Sequence, residues 1–366
     1  MDSNRVLIYS DLHIHPHKKS HERLYDCLEV LEWVFKTAEE KGARNIIFVG
    51  DLFHDRQKVD VLTYQHTFEI FEKHLCNSQM KAWMLLGNHD MWSREKWDYS
   101  SVKPLGSVCG VTVIDEPCTI SIDEFGRPPF ISFLPFTKNP IEALSNLDND
   151  SDFKILFAHI AVDGALWNVR SNTFAEVLIE HDGDMVKVDA GILSKWDQVF
   201  LGHYHAAQNI TDKIEYIGSP LQLSYGEAFQ KKHIILYDLN THEKEYITNT
   251  FSPKHYVYEL SECPRAKFDA NVDLFVKIKT EDITSPENIE AQKKILELPN
   301  CKEARVDPIK KNKAEEQKSI EDAKAILLNE DEMAERYLDE VGTNGLDRQK
   351  LLDVFKTICN KREQNA

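Results

Sequence analysis

At five places the sequence sets metal-binding donors directly after an apolar run. These are Asp11 and His13, Gly50-Asp51, Gly87-Asn88-His89-Asp90, Ala158-His159, and Gly202-His203-Tyr204-His205. An open α/β sheet presents its active site at the carboxyl ends of its strands, where such residues would gather. A lone histidine after a strand is more often a satisfied loop residue, whereas five such signals in register with five strand ends are hard to produce by chance. Carboxylate and amide oxygens mixed with imidazoles suit Mn²⁺, Fe²⁺ or Zn²⁺ better than Ca²⁺.

The first signal, SDLHIHPH at 10–17, admits two readings. An HxH pair ending a first strand suits an amidohydrolase-like or PHP-like barrel, while DxH in the same place suits a two-metal phosphoesterase. The later signals decide for DxH, because an HxH barrel site would leave GNHD and GHYH without a purpose. Two ions need a bridging ligand, and Asp51 is the natural one. Its place in the order leaves Asp11, His13 and one later histidine for one ion, and Asn88, His159 and another for its neighbour. His15 and His17 could reach a substrate but are expected to be solvent-facing loop residues, and Asp90 a hydrogen-bonding support.

The elements that would position these donors can be read from periodicity. Leu24, Cys27, Leu28, Leu31, Val34, Phe35 and Ala38 recur at helical spacing before Gly42, and Asp60 caps a second stripe through Val61, Tyr64, Phe68, Phe71 and Leu75. With strands at 45–49 and 83–86 between and after them, this is a βαβ arrangement. From 111 onward strands follow closely, at 111–114, 130–133, 154–157, 198–201, 213–217 and 233–237, and a second sheet packed on the first would absorb them. Residues 255–308 read as a small α/β unit whose helix opens at Ser285-Pro286, with a boundary near Ser252-Pro253. Beyond 310 the composition turns polar, and two helices are expected at about 314–341 and 346–363.

A chain of 366 residues allows a large catalytic unit and smaller additions. No apolar run approaches a membrane span, and MDSNR leads straight into a strand, so a soluble, cytoplasmic protein is expected, with no membrane partner. Seven scattered cysteines contain no CxxC pair and indicate neither a disulfide framework nor a thiolate zinc site. The net charge of −17 opposes a phosphate backbone unless cations or metal ions offset it locally.

The order DxH, GD, GNHD, H, GHxH resembles the calcineurin-like metallophosphoesterase superfamily. GDLFHDR at 50–56 and YIGSPLQLSYGE at 216–227 are similar to the SbcD-type DNA nuclease subunit found in bacteria, with relatives in archaea, eukaryotes and some phages, which implies the bacterial or phage-infected host cytoplasm. The resemblance implies an α/β fold, a four-layer α/β/β/α sandwich with a small α/β capping domain and a C-terminal helical pair. The corresponding domains are 1–252, 253–309 and 310–366. It implies two divalent ions, Mn²⁺ for preference, with Asp11, His13, Asp51 and His205 at one and Asp51, Asn88, His159 and His203 at the other. His89 would stabilise the transition state or protonate the leaving oxygen, and His54 would help orient a DNA end. Such ions clamp the oxygens of an in-line displacement, and an imidazole suits the proton transfer. His15 stands where the family usually has a small residue, and Ala158 replaces a frequent Gly.

Aromatic and cationic residues rim the expected site, and Trp92, Arg94, Trp97 and Arg170 are candidates for stacking bases and touching phosphates. Lysine pairs such as Lys231-Lys232 are read as solvated surface. Leu351, Leu352, Phe355 and Ile358 form an apolar stripe suited to helix-in-groove binding. The resemblance makes that partner an SbcC-type ABC ATPase and the assembly a homodimer. The expected function is a metal-dependent DNA exonuclease and single-strand endonuclease in repair or recombination. A small-molecule phosphodiesterase or phosphatase of the same superfamily is the alternative.

Overall fold

The structure, a computed structural model, describes residues 2–17, 21–93, 96–122, 129–168, 173–174, 186–259, 267–309 and 348–350. The chain divides into two compact units, 1–307 and 308–366. In the first unit, apolar alternation and amphipathic stripes become β1 (Asp2–Tyr9), α1 (His21–Glu40), β2 (Ala43–Phe48), α2 (Val61–Leu75) and β3 (Lys81–Leu85). Gly42 leaves α1 at φ +67°, a conformation that costs glycine little. Asp60 caps α2 by accepting the Thr63 N–H at 2.9 Å, which satisfies one of the orphan donors at the helix start.

Next come a hairpin of β4 (Met91–Ser93) and β5 (Lys96–Ser100), then β6 (Val111–Ile114), β7 (Cys118–Ser121), β8 (Phe130–Leu134) and β9 (Ile155–His159). A second hairpin, β10 (Leu166–Asn168) and β11 (Thr173–Phe174), precedes β12 (Gln198–Gly202), β13 (Gln208–Asn209), β14 (Ile214–Tyr216), β15 (His233–Asp238) and β16 (Lys244–Thr248). Two six-stranded sheets result, in the orders β16-β15-β1-β2-β3-β6 and β13-β14-β12-β9-β8-β7. Within them β1, β2, β3 and β6 run parallel, as do β8, β9, β12 and β14. Their carboxyl ends therefore open in common directions, sheet by sheet.

Three apolar clusters define the layers. One joins α1 and α2 to the outer face of the first sheet through Leu31, Phe35, Phe48 and Phe71. A second lies between the sheets, where Ile8, Ile47 and Tyr237 of one meet Phe133, Phe157 and Phe200 of the other. Phe157 stacks between Phe133 and Phe200 at centroid distances of 5.6 and 5.1 Å, a contact whose truncation to Ala would cost about 3–5 kcal/mol. The third packs Leu144, Leu193 and Trp196, from short helical turns, onto the far face of the second sheet. Helix, sheet, sheet, helix is the four-layer sandwich expected above.

Strands β17 (Lys254–Glu259), β18 (Leu274–Thr280) and β19 (Cys301–Pro308) form a three-stranded sheet. With the helix Pro286–Leu296, capped by Ser285, it encloses an apolar cluster of its own around Leu274, Val276, Ile278 and Ile295. Leu351, Leu352, Phe355 and Ile358 lie outside the described residues, and so do the two expected C-terminal helices apart from a helical stretch at 348–350. Among the described residues no helix is long and apolar enough to cross a membrane.

Candidate metal centre

All seven expected ligands come together at the carboxyl ends of β1, β2, β3, β9 and β12 and the turns that follow. Their donor atoms fall into two neighbouring groups: Asp11, His13 and His205 form one, Asp51, His159 and His203 the other, each with ligand atoms within 4.8 Å of one another. Asp51 lies between the groups, its Oδ2 standing 3.5 Å from His13 Nε2 and 3.4 Å from His159 Nε2. Asn88 Oδ1 is 3.1 Å from His159 Nε2 and 3.0 Å from His203 Nδ1. His13 Nε2 faces His205 Nε2 at 3.0 Å.

The backbone bends sharply to achieve this. Asp11, His13, Asp51 and His203 all sit at positive φ, between +48° and +103°. Left-handed geometry is unfavourable for residues with a Cβ and persists only where surroundings enforce it, commonly at functional sites. Gly50, at φ +94°, also relieves crowding: a Cβ there would land on His159 Nδ1 and within 2.8 Å of Gly87 Cα. The glycines of GD, GN and GH let three strand ends approach each other, which the motif spelling alone could not reveal.

Hydrogen bonds fix the imidazoles in ligand form. His159 Nδ1 lies 2.8 Å from the Val49 carbonyl, which only accepts, so Nδ1 carries the proton and Nε2 is left toward Asp51 and Asn88. His205 Nδ1 bonds Glu227 Oε1 at 3.0 Å, leaving Nε2 toward His13. Both carboxylate oxygens of Asp11 accept the His203 N–H, at 3.0 and 3.1 Å. Asp90 accepts from the amides of Asp51, Leu52 and Gly87 at 2.7–2.9 Å, the supporting role expected of it.

The electrostatics favour positive charge at this cluster. Burial, then the Asp51 charge, lift the Asp90 carboxyl to about 7, and burial raises Asp11 as well. Burial alone would lower His159, but the charge and hydrogen bond of Asp51 prevail and raise it to about 9. A field that draws a proton onto His159 also draws a divalent cation. Two imidazole nitrogens facing each other at 3.0 Å, an amide oxygen against two more and a carboxylate between the groups form a donor set that fits two such ions.

His89 and His54 flank this set. The His89 amide donates to Asp51 Oδ1 at 2.7 Å, and its Nδ1 lies 2.5 Å from the His54 carbonyl. The His54 and His89 rings are 5.8 Å apart and nearly parallel, and His13, His54 and His89 form a third group of converging donors. His15 and His17 depart from the solvent-facing reading. They are half-buried and pack on His54 at centroid distances of 5.1 and 5.3 Å. Burial, then neighbouring positive charge, drive His17 down to about 3 and His54 to about 4, so both rings are neutral at pH 7. Lys232 corrects a second expectation: it is buried, with Nζ 2.6 Å from Glu227 Oε2. Its burial depends on residues packed from afar, and nothing in the pair Lys231-Lys232 signals it.

Trp92, 59% exposed, lines a groove of about 700 Å³ with Arg56, Tyr64, Asp98, Tyr99 and Lys103. Trp97 lies in β5 with its side chain outside the described positions, and Arg94 and Arg170 are outside the described residues.

Comparison with known proteins adds family context. Exonuclease subunit 1 of Enterobacteria phage T4 is 22% identical over 225 residues, 61% of each chain, so the sequence spans under two thirds of that relative. A dimetal phosphatase from Danio rerio overlays with a TM-score of 0.37 at 10% identity, over 68% of this chain and 99% of its own. A protein of unknown function from Aquifex aeolicus gives 0.28 at 14% identity, over 59% and 89%. The calcineurin-like phosphoesterase profile matches residues 4–207, more than half the chain and every one of the five strand-end motifs, and the chain belongs to that family.

Proposed function

We propose that the chain is a Mn²⁺-dependent DNA nuclease subunit acting on DNA ends and single strands, working as a homodimer with an SbcC-type ABC ATPase in repair or recombination. One observation carries the two-metal part: Asp51 Oδ2 lies within 3.5 Å of imidazole nitrogens from both groups. In this reading Asp11, His13, Asp51 and His205 hold one ion, and Asp51, Asn88, His159 and His203 hold the other. Bound there, the ions would supply Lewis-acid charge at a phosphodiester. His89 donates Nδ1–H to the His54 carbonyl; protonated on both nitrogens, it would pass its Nε2 proton to the departing oxygen and end as the neutral Nδ1–H tautomer. His54 stacks beside His89 and restricts where that ring can turn.

The nuclease part is supported by the likeness to a phage exonuclease subunit. The groove beside the GNHD turn also supports it, since Trp92 and Tyr99 could stack bases while Arg56 and Lys103 meet phosphates. Arg94, Trp97 and Arg170 are assigned to the same rim, and Leu351, Leu352, Phe355 and Ile358 to the ATPase contact. The domain division at 252 and 309 belongs to this reading too. The test is Mn²⁺-dependent digestion of end-labelled duplex and single-stranded DNA beside a bis-aryl phosphodiester, with wild type and His89→Asn. The proposal expects DNA degradation that the variant loses. Cleavage of the small ester alone, even with an ATPase partner and ATP present, would establish the small-molecule phosphodiesterase instead.

A further inference from the structure

We infer that Glu227 is the positioning residue for His205, and that the turn carrying it is anchored to the small three-stranded sheet through Tyr225. The inference rests on the two-metal reading, because it concerns how this chain prepares one ligand of that centre.

The His205 ring is addressed from both sides. Glu227 Oε1 lies 3.0 Å from Nδ1, while Nε2 points at His13 Nε2, also 3.0 Å away. A carboxylate accepts, so the proton is held on Nδ1 and the lone pair on Nε2, the arrangement that carboxylate–histidine pairs give to metal ligands. Glu227 cannot swing away. Its second oxygen accepts from Ser219 Oγ at 3.0 Å and the Leu223 amide at 3.3 Å and pairs with Lys232 Nζ at 2.6 Å. Lys232 in turn donates to the His205 carbonyl at 2.9 Å and to Ser219 Oγ at 2.8 Å, closing a ring of contacts around the ligand. A buried ion pair of this kind carries a desolvation cost, and breaking one partner away is far more harmful than replacing both.

Two residues before Glu227, Tyr225 faces the other way. Its hydroxyl lies 2.9 Å from Glu303 Oε1 on β19, and its ring sits beneath Lys277 Nζ at 4.6 Å and Arg305 Cζ at 4.5 Å. The short helical turn Tyr225–Glu227 thus touches a metal ligand at one end and the small sheet at the other. A displacement of that sheet would reach His205 through this turn.

Mn²⁺ titration of the full-length protein, with free ion read by electron paramagnetic resonance, tests both halves. The wild type should fill two sites. Glu227→Ala should weaken one of them by about 10–100-fold and leave the second unchanged, with Glu227→Gln, which keeps an acceptor for Nδ1–H, falling between. Because a lone Glu227 variant strands the Lys232 charge, Glu227→Gln/Lys232→Met serves as the folded control and should show the same one-site weakening. Tyr225→Phe should weaken the same site, by a smaller factor. Wild-type affinity at both sites in the folded Glu227 variants would overturn the positioning role alone, and wild-type affinity in Tyr225→Phe would overturn the link to the small sheet. A wild type that binds no Mn²⁺ would overturn the two-metal reading and this inference with it.

Discussion

The two halves of the centre are oriented by different means. His159 takes its tautomer from a main-chain carbonyl, Val49, at the end of β2, and its position from the absence of a side chain at Gly50. His205 takes its tautomer from the side chain of Glu227, which depends on Lys232 and a turn tied to another sheet. The first device is written into the backbone of the sandwich, so few substitutions outside the ligands and glycines can disturb it. The second can be tuned by single residues far from the strand ends. One half is a fixture of the fold and the other an adjustable attachment to it.

Removing what the halves share should have the largest effect. Asp51→Asn replaces a carboxylate facing imidazoles of both groups, and both of the proposed Mn²⁺ sites and phosphodiester hydrolysis should be lost together. A variant retaining one tight site would mean that the halves bind independently. Metal removal comes next: ion at about 100 times its dissociation constant adds about 2.7 kcal/mol to the folded state, so chelation should lower the melting temperature of the wild type and not that of Asp51→Asn. Gly50→Ala attacks the backbone-encoded half. Strain at φ +94° of about 1–3 kcal/mol, at about 2–4 °C per kcal/mol, should lower melting even with chelator present. An unchanged melting curve would show that His159 can move aside.

The smallest effect is a pH dependence of the attachment. Burial would raise Glu227, but Lys232 and His205 outweigh it and hold the carboxyl well below its ordinary 4.5. A depressed carboxylate stabilises the fold above its unfolded pKa, and that contribution fades as pH falls through the folded value. Chelated wild type should therefore lose stability faster below about pH 4.5 than Glu227→Gln/Lys232→Met, as urea titrations at stepped pH would reveal. Parallel curves would place the acid sensitivity elsewhere.

The gathering of the candidate ligands was legible in the sequence because each follows an apolar run, and strand ends are marked by the change from Ile47, Phe48 and Val49 to Gly50-Asp51. The layers were legible because α1 and α2 bear one apolar stripe each. What escaped depends on contacts made across the chain. Lys232 reads as surface until Glu227 and Ser219 close over it, and His17 reads as loop until His54 packs on it. Glu227 stands in a quotable motif, YIGSPLQLSYGE, yet its task is defined by a histidine 22 positions away.

The Asp11 carboxylate accepts the amide of His203 across 192 residues of chain. Contacts of such separation form late, since a large loop must close before they contribute. While the protein emerges from the ribosome, Asp11, Asp51 and His159 exist for seconds without the GHYH turn that lies beside them in the fold. A truncated chain lacking that turn would lack two of the imidazoles that gather at the candidate centre.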